Sequence, residues 1–102
     1  MTTEMKNKVN PDYLEDWLIK NPAEVYARSV ETALSLVESN KKEEAFLEFY
    51  WEGEVYSKIY MKKNDIPTAM DKAIEYFVSQ ELYEQAVLAK KAKDSFLNLE
   101  NL

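Results

Sequence analysis

The sequence predicts an all-α fold of about five helices, arranged as antiparallel helical hairpins in a small bundle or a short repeat-like array. Three observations carry this expectation. Turn residues are scarce, with one glycine (Gly53) and three prolines, whereas a β-sandwich or barrel calls for turn signals about every 8–12 positions. Apolar residues recur at helical spacing in most of the chain. The gaps between periodic stretches span only a few residues, and such short connections make consecutive helices antiparallel neighbours.

The elements follow in order. Residues 1–9 are polar and read as a flexible N-terminus, with a single helical domain over 10–102. Asn10-Pro11 and Asn21-Pro22 are helix starts, because Asn caps well and proline fits the first helical position, where its missing N–H is not needed. The first helix is expected over 11–20, with Tyr13, Leu14, Trp17 and Leu18 as a narrow stripe. The second is expected over 22–39, where Tyr26, Val30, Ala33, Leu34 and Val37 form a one-sided stripe. The third is expected over 43–63 and holds six of the thirteen aromatics: Phe46, Phe49, Tyr50, Trp51, Tyr56 and Tyr60. Its second stripe is Leu47, Trp51, Val55 and Ile59, and its third face is Glu44, Glu48 and Glu52. A helix apolar on more than one face needs cover on several sides. Gly53, disfavoured inside a helix by about 1 kcal/mol against alanine, then marks a close crossing. Asn64-Asp65-Ile66-Pro67 opens a fourth helix over 66–79, with Ile66, Met70, Ala73, Ile74 and Phe77 on one side. A fifth is expected over 82–97, where Ala86, Ala89 and Ala92 allow a close backbone approach.

Composition narrows the function classes. The net charge is −6, split as −3 over residues 1–40, zero over 41–64 and −3 over 65–102, so the average field repels nucleic-acid phosphates. With no cysteine and no histidine, disulfides, thiolate metal sites and a histidine general base are excluded. One glycine cannot build a phosphate loop. No apolar run approaches the ~20 residues of a membrane span, and Met1–Lys6 lacks a signal peptide's hydrophobic stretch, so a cytoplasmic location is expected. The lysine clusters at 41–42, 62–63 and 90–93 fall near expected helix C-termini, where cations complement the dipole.

Two stretches offset by 41 residues look alike: Ala33–Ala45 and Ile74–Ala86, with Val37 matching Val78, Glu43 matching Glu84 and Ala45 matching Ala86. The second, with Ala69, Ala73, Phe77, Tyr83 and Ala86, resembles the turn inside a tetratricopeptide repeat; Asn40, Ala45 and Phe49 match similarly in the first. Ile74 and Glu81 stand where that family prefers glycine, and Lys90 and Lys93 where it prefers apolar residues. The resemblance implies a binding scaffold for peptides or proteins.

Functionally, the sequence points to a non-enzymatic protein–protein interaction module, such as a small accessory factor or inhibitor of a larger enzyme or complex. The expected partner is another protein or a second copy of the chain. Trp and Tyr are frequent binding hot spots, and the candidate interaction residues are Trp17, Trp51, Val55, Tyr56, Ile59 and Tyr60. No catalytic residue, cofactor or metal ligand is assigned, and direct nucleic-acid binding is not expected. The alternative is an acidic factor that imitates nucleic acid, or a regulator associated with transcription or replication, with Glu44, Glu48 and Glu52 arrayed on one face as its mark. An enzyme would need buried, pKa-shifted carboxylates in a pocket.

Overall fold

The fold is mixed α/β, not an all-α array of helical hairpins. The structure, a computed structural model, describes residues 6–100. Among the described residues, four helices, α1 (Leu14–Lys20), α2 (Pro22–Val37), α3 (Ile66–Ser79) and α4 (Tyr83–Glu100), accompany a sheet of three strands. The strands are β1 (Lys6–Lys8), β2 (Glu43–Trp51) and β3 (Glu54–Lys62), in the order β1-β2-β3. The long helix expected over 43–63 is therefore a β-hairpin.

Glu52 and Gly53 decide this. Both adopt left-handed backbone, φ 51° and 83°, and Trp51 pairs directly with Glu54 across them. A two-residue loop with both φ values positive has the twist that joins antiparallel strands. Gly53 thus forms the hairpin turn, and no side chain crosses it: a Cβ placed there would meet nothing within 4 Å. The flanking residues are rich in aromatic and β-branched types that favour strands. One hairpin needs only one tight turn, so glycine scarcity did not exclude it.

The ladder slips by one residue at Phe46, between the pairs Ala45–Tyr60 and Leu47–Ile59. It slips again at Tyr56, between Phe49–Ser57 and Tyr50–Val55. Each extra residue resets the two-residue alternation of facing. The aromatics consequently fall in both phases of the strand and imitate helical spacing.

Lys6–Lys8, inside the segment expected as a flexible tail, pair in parallel with Glu48–Tyr50, and Val9 N–H extends the pairing to the Tyr50 carbonyl at 3.2 Å. Residues 1–5 of that expectation lie outside the described residues. Parallel neighbours require a long crossover; a 3-10 turn at Pro11–Tyr13, then α1 and α2, supplies it. Asn10 caps that turn, its Oδ1 accepting from Asp12 N–H at 2.9 Å. Asn21 acts differently from expectation: its side-chain amide donates to the Trp17 carbonyl at 2.8 Å and closes the end of α1 instead of capping α2.

Two apolar clusters hold the layers together. One lies between α2, α3 and α4 and includes Leu36, Met70, Ala73 and Phe77, with Met61 from β3. The other joins the sheet to α1 and α2, where Leu47 and Phe49 meet Trp17 and Val25. Phe46 packs against both. The buried alanines Ala86, Ala89 and Ala92 let α4 lie along α3, and Lys93 Nζ reaches Asp71 at 2.7 Å between them. The two copies of the internal similarity do not share a conformation: Glu43–Ala45 lie in a strand, whereas Glu84–Ala86 lie in a helix.

The α3–α4 turn closes with Leu82 N–H on the Phe77 carbonyl (2.7 Å) and Glu81 N–H on the Val78 carbonyl (3.0 Å), the two bonds of a Schellman cap. Glu81 takes the left-handed position, φ 58°, where glycine carries no Cβ penalty. Glu52→Asn and Glu81→Gly are each expected to raise stability by about 0.5–1 kcal/mol, since both relieve left-handed strain on glutamate. Urea titration of each variant checks this; an unchanged or lower midpoint contradicts it.

Candidate functional site

β3 is an edge strand: among the described residues it pairs with β2 on one side and with nothing on the other. In such a strand, alternate N–H and C=O groups point outward and form a template for a further strand. The strand also carries three exposed large side chains, Val55, Tyr56 and Tyr60, at 41%, 36% and 51% of full exposure. These are three of the six residues singled out from the sequence. The other three are placed differently. Trp51 is half-buried beside the hairpin turn, with Lys8 Nζ 5.8 Å from its ring centre. Trp17 stands edge-on to Phe49, ring centres 5.2 Å apart, and Ile59 packs in the same cluster. Trp17 and Ile59 thus anchor the sheet to α1 and α2.

Tyr56 is tied down as well as exposed. Its hydroxyl donates to the Val9 carbonyl at 2.6 Å, which fastens β3 to the chain just beyond β1. Partial withdrawal from water there raises its pKa above the ordinary 10.0, because desolvation disfavours the phenolate. The unfolded tyrosine ionises first, so this stabilising contribution is full below about pH 10 and is lost as pH rises through the raised folded value. Tyr56→Phe is expected to lower stability by about 1 kcal/mol at neutral pH. It should also remove part of the alkaline fall in stability. Denaturant titrations of both proteins at neutral and alkaline pH measure the two effects.

A cleft of about 360 Å³ opens beneath the C-terminal half of β3. Phe46, Met61, Val25, Tyr26 and Ala69 make its walls apolar, and Asp65, Thr68 and Lys72 line it from α3 and the turn before it. Beside it, the hairpin register brings two separate lysine pairs together. Glu43 sits opposite Lys62, Lys63 N–H donates to the Lys42 carbonyl at 2.8 Å, and Lys42, Lys62 and Lys63 line one depression. Lys63 Nζ is engaged by the Ser39 carbonyl at 2.6 Å. By helical spacing these lysines fall at helix ends; pairing 43–51 with 54–62 across Glu52-Gly53 is the signal that joins them.

The three glutamates expected on one face are dispersed. Glu44 accepts from Ser35 Oγ at 3.2 Å, Glu48 pairs with Lys58 at 3.3 Å, and Glu52 sits in the hairpin turn. Among the described residues no group of three acidic, histidine or cysteine side chains is placed to hold a metal ion. No described helix is long and apolar enough to cross a membrane. No protein-family model, no curated protein and no solved structure matches the chain. What the site offers is main-chain hydrogen-bonding capacity, exposed aromatic surface and an adjoining apolar cleft.

Proposed function

We propose that the chain is a non-enzymatic protein-interaction module that engages another protein through β3. The observation that carries this reading is the edge of β3, unpaired among the described residues and coupled to exposed Val55, Tyr56 and Tyr60. Large aromatic side chains supply contact area with little rotamer entropy to lose, and an open strand edge offers main-chain hydrogen bonds. Such a module suits an accessory factor or inhibitor, which acts by occupying a surface of a larger protein. Reading the chain as a mimic of nucleic acid loses its support, because Glu44, Glu48 and Glu52 do not share a face.

A photo-crosslinking amino acid at position 60, with a control at exposed Lys90 on α4, tests the proposal in the cells of origin. The expected result is a discrete adduct with another protein from position 60 and none from position 90. Adducts at both positions alike, or at neither, contradict it.

A further inference from the structure

We propose that the groove between β3 and α3 takes an extended segment of another protein in which acidic and large apolar residues alternate, added as a fourth strand beside Ser57–Lys62. This rests on the interaction-module reading and names the partner's chemistry. Beyond the slip at Tyr56, the ladder from Ser57 to Ile59 runs regularly against β2, so the opposite edge is regular enough to pair. Successive residues of an added strand point to opposite faces. One set then faces down into the cleft walled by Phe46, Met61 and Ala69, which selects large apolar side chains. The other set turns to the opposite, open face, with exposed Tyr60 at the rim of the cleft.

Charge selects the acidic residues. The chain carries −6 overall, yet three of its lysines cluster about the C-terminal end of β3 and the cleft. Lys62 and Lys42 line the depression at the C-terminal end of β3, and Lys72 lines the cleft. None of the three forms an ion pair among the described residues, whereas Lys58 is already matched by Glu48 at 3.3 Å. Asp65 lines the cleft and Glu43 lines the depression with Lys42, Lys62 and Lys63, so lysines still outnumber carboxylates there. Lysines of the strand itself oppose a second copy of the chain at this edge. Antiparallel self-pairing of Ser57–Lys62 brings Lys58 and Lys62 of two copies onto neighbouring strands, and like charges on adjacent strands repel. Lysines on an edge strand commonly guard it against its own kind; here they leave it open to an acidic strand.

The test is a random heptapeptide display library panned on the full chain. One enriched peptide is then titrated against the wild type, Ala69→Trp and Lys62→Glu/Lys72→Glu. Ala69→Trp fills the cleft from α3, and the double charge reversal alters only exposed side chains, so it keeps the test valid should the tryptophan variant fold poorly. The expected result is enrichment of peptides alternating Asp or Glu with Leu, Ile or Phe, affinity weaker by about tenfold or more in each folded variant, and weakening with added salt. Failure to enrich, enriched peptides without acidic residues, unchanged affinity in the charge-reversed variant, or a wild type that sediments as a dimer overturns the proposal. If crosslinks from position 60 to another protein persist without peptide enrichment, strand addition alone fails; loss of both removes the interaction-module reading too.

Discussion

Phe49→Ala is expected to lower the unfolding free energy by about 3–5 kcal/mol, the range for truncating a buried aromatic. Phe49 has no exposed surface, and its ring meets Trp17 edge-on at 5.2 Å. It is the contact through which the middle strand of the sheet grips α1. Its cluster is small: Val9, Leu47 and Phe49 are buried, and the rest are half-buried side chains from α1, α2 and the sheet. The surroundings have few side chains available to refill the space. A chain of 102 residues typically has only about 5–15 kcal/mol in hand, so this one substitution removes a large share. Equilibrium urea unfolding followed by tryptophan fluorescence measures the loss, because Trp17 reports directly on the cluster. A loss under about 1 kcal/mol would mean that Phe49 is not buried against α1.

Phe77→Ala should be comparably damaging, again by about 3–5 kcal/mol, but through the other cluster. Phe77 is 2% exposed and lies near both Tyr26, at 6.4 Å, and Tyr76, at 5.5 Å, between ring centres; Tyr26 and Tyr76 stack on each other at 4.9 Å. This aromatic group joins α2 to α3. Phe49 and Phe77 belong to different clusters, so milder Phe49→Leu and Phe77→Leu changes should combine additively to within about 0.5 kcal/mol. Phe46, which touches both clusters, should be non-additive with either. The measurement is a set of double-mutant cycles in urea; strong coupling between positions 49 and 77 would indicate one continuous core.

The helices were legible from the sequence to within a few residues. Expected spans of 22–39, 66–79 and 82–97 correspond to α2 at Pro22–Val37, α3 at Ile66–Ser79 and α4 at Tyr83–Glu100. Their apolar residues repeat on one side, and Asn21-Pro22 and Ile66-Pro67 mark the starts. The hairpin was not legible, and the reason is local. Without the slips at Phe46 and Tyr56, β2 and β3 would alternate cleanly and betray the two-residue period. With them, large residues occur at separations of three and four, as on a helix. The decisive clue, Glu52-Gly53 between two strand-forming runs, is weakened because glutamate is an unusual choice for a left-handed position. β1 escaped because three polar residues, Lys6, Asn7 and Lys8, owe their strand to partners over forty positions away.

The candidate site was half legible. Val55, Tyr56 and Tyr60 were recognised as aromatic or apolar surplus and are exposed on β3. Trp17 and Ile59 had the same composition signal but serve the core. Sequence periodicity cannot separate those roles when the element type is wrong, since facing depends on it. The lysine pairs 41–42 and 62–63 likewise changed meaning once strand pairing placed them side by side.

The central claim is that residues 43–62 form a hairpin with one open edge. Backbone nuclear magnetic resonance of the full chain, recording cross-strand contacts together with amide hydrogen exchange, tests it most directly. The account predicts contacts linking Leu47 to Ile59 and Phe49 to Ser57, with amides from Ser57 to Lys62 alternating between slow exchange toward β2 and fast exchange at the free edge. Uniformly slow exchange with contacts four residues apart along the chain would mean that this segment is a helix after all, and would contradict both the fold and the docking edge built on it.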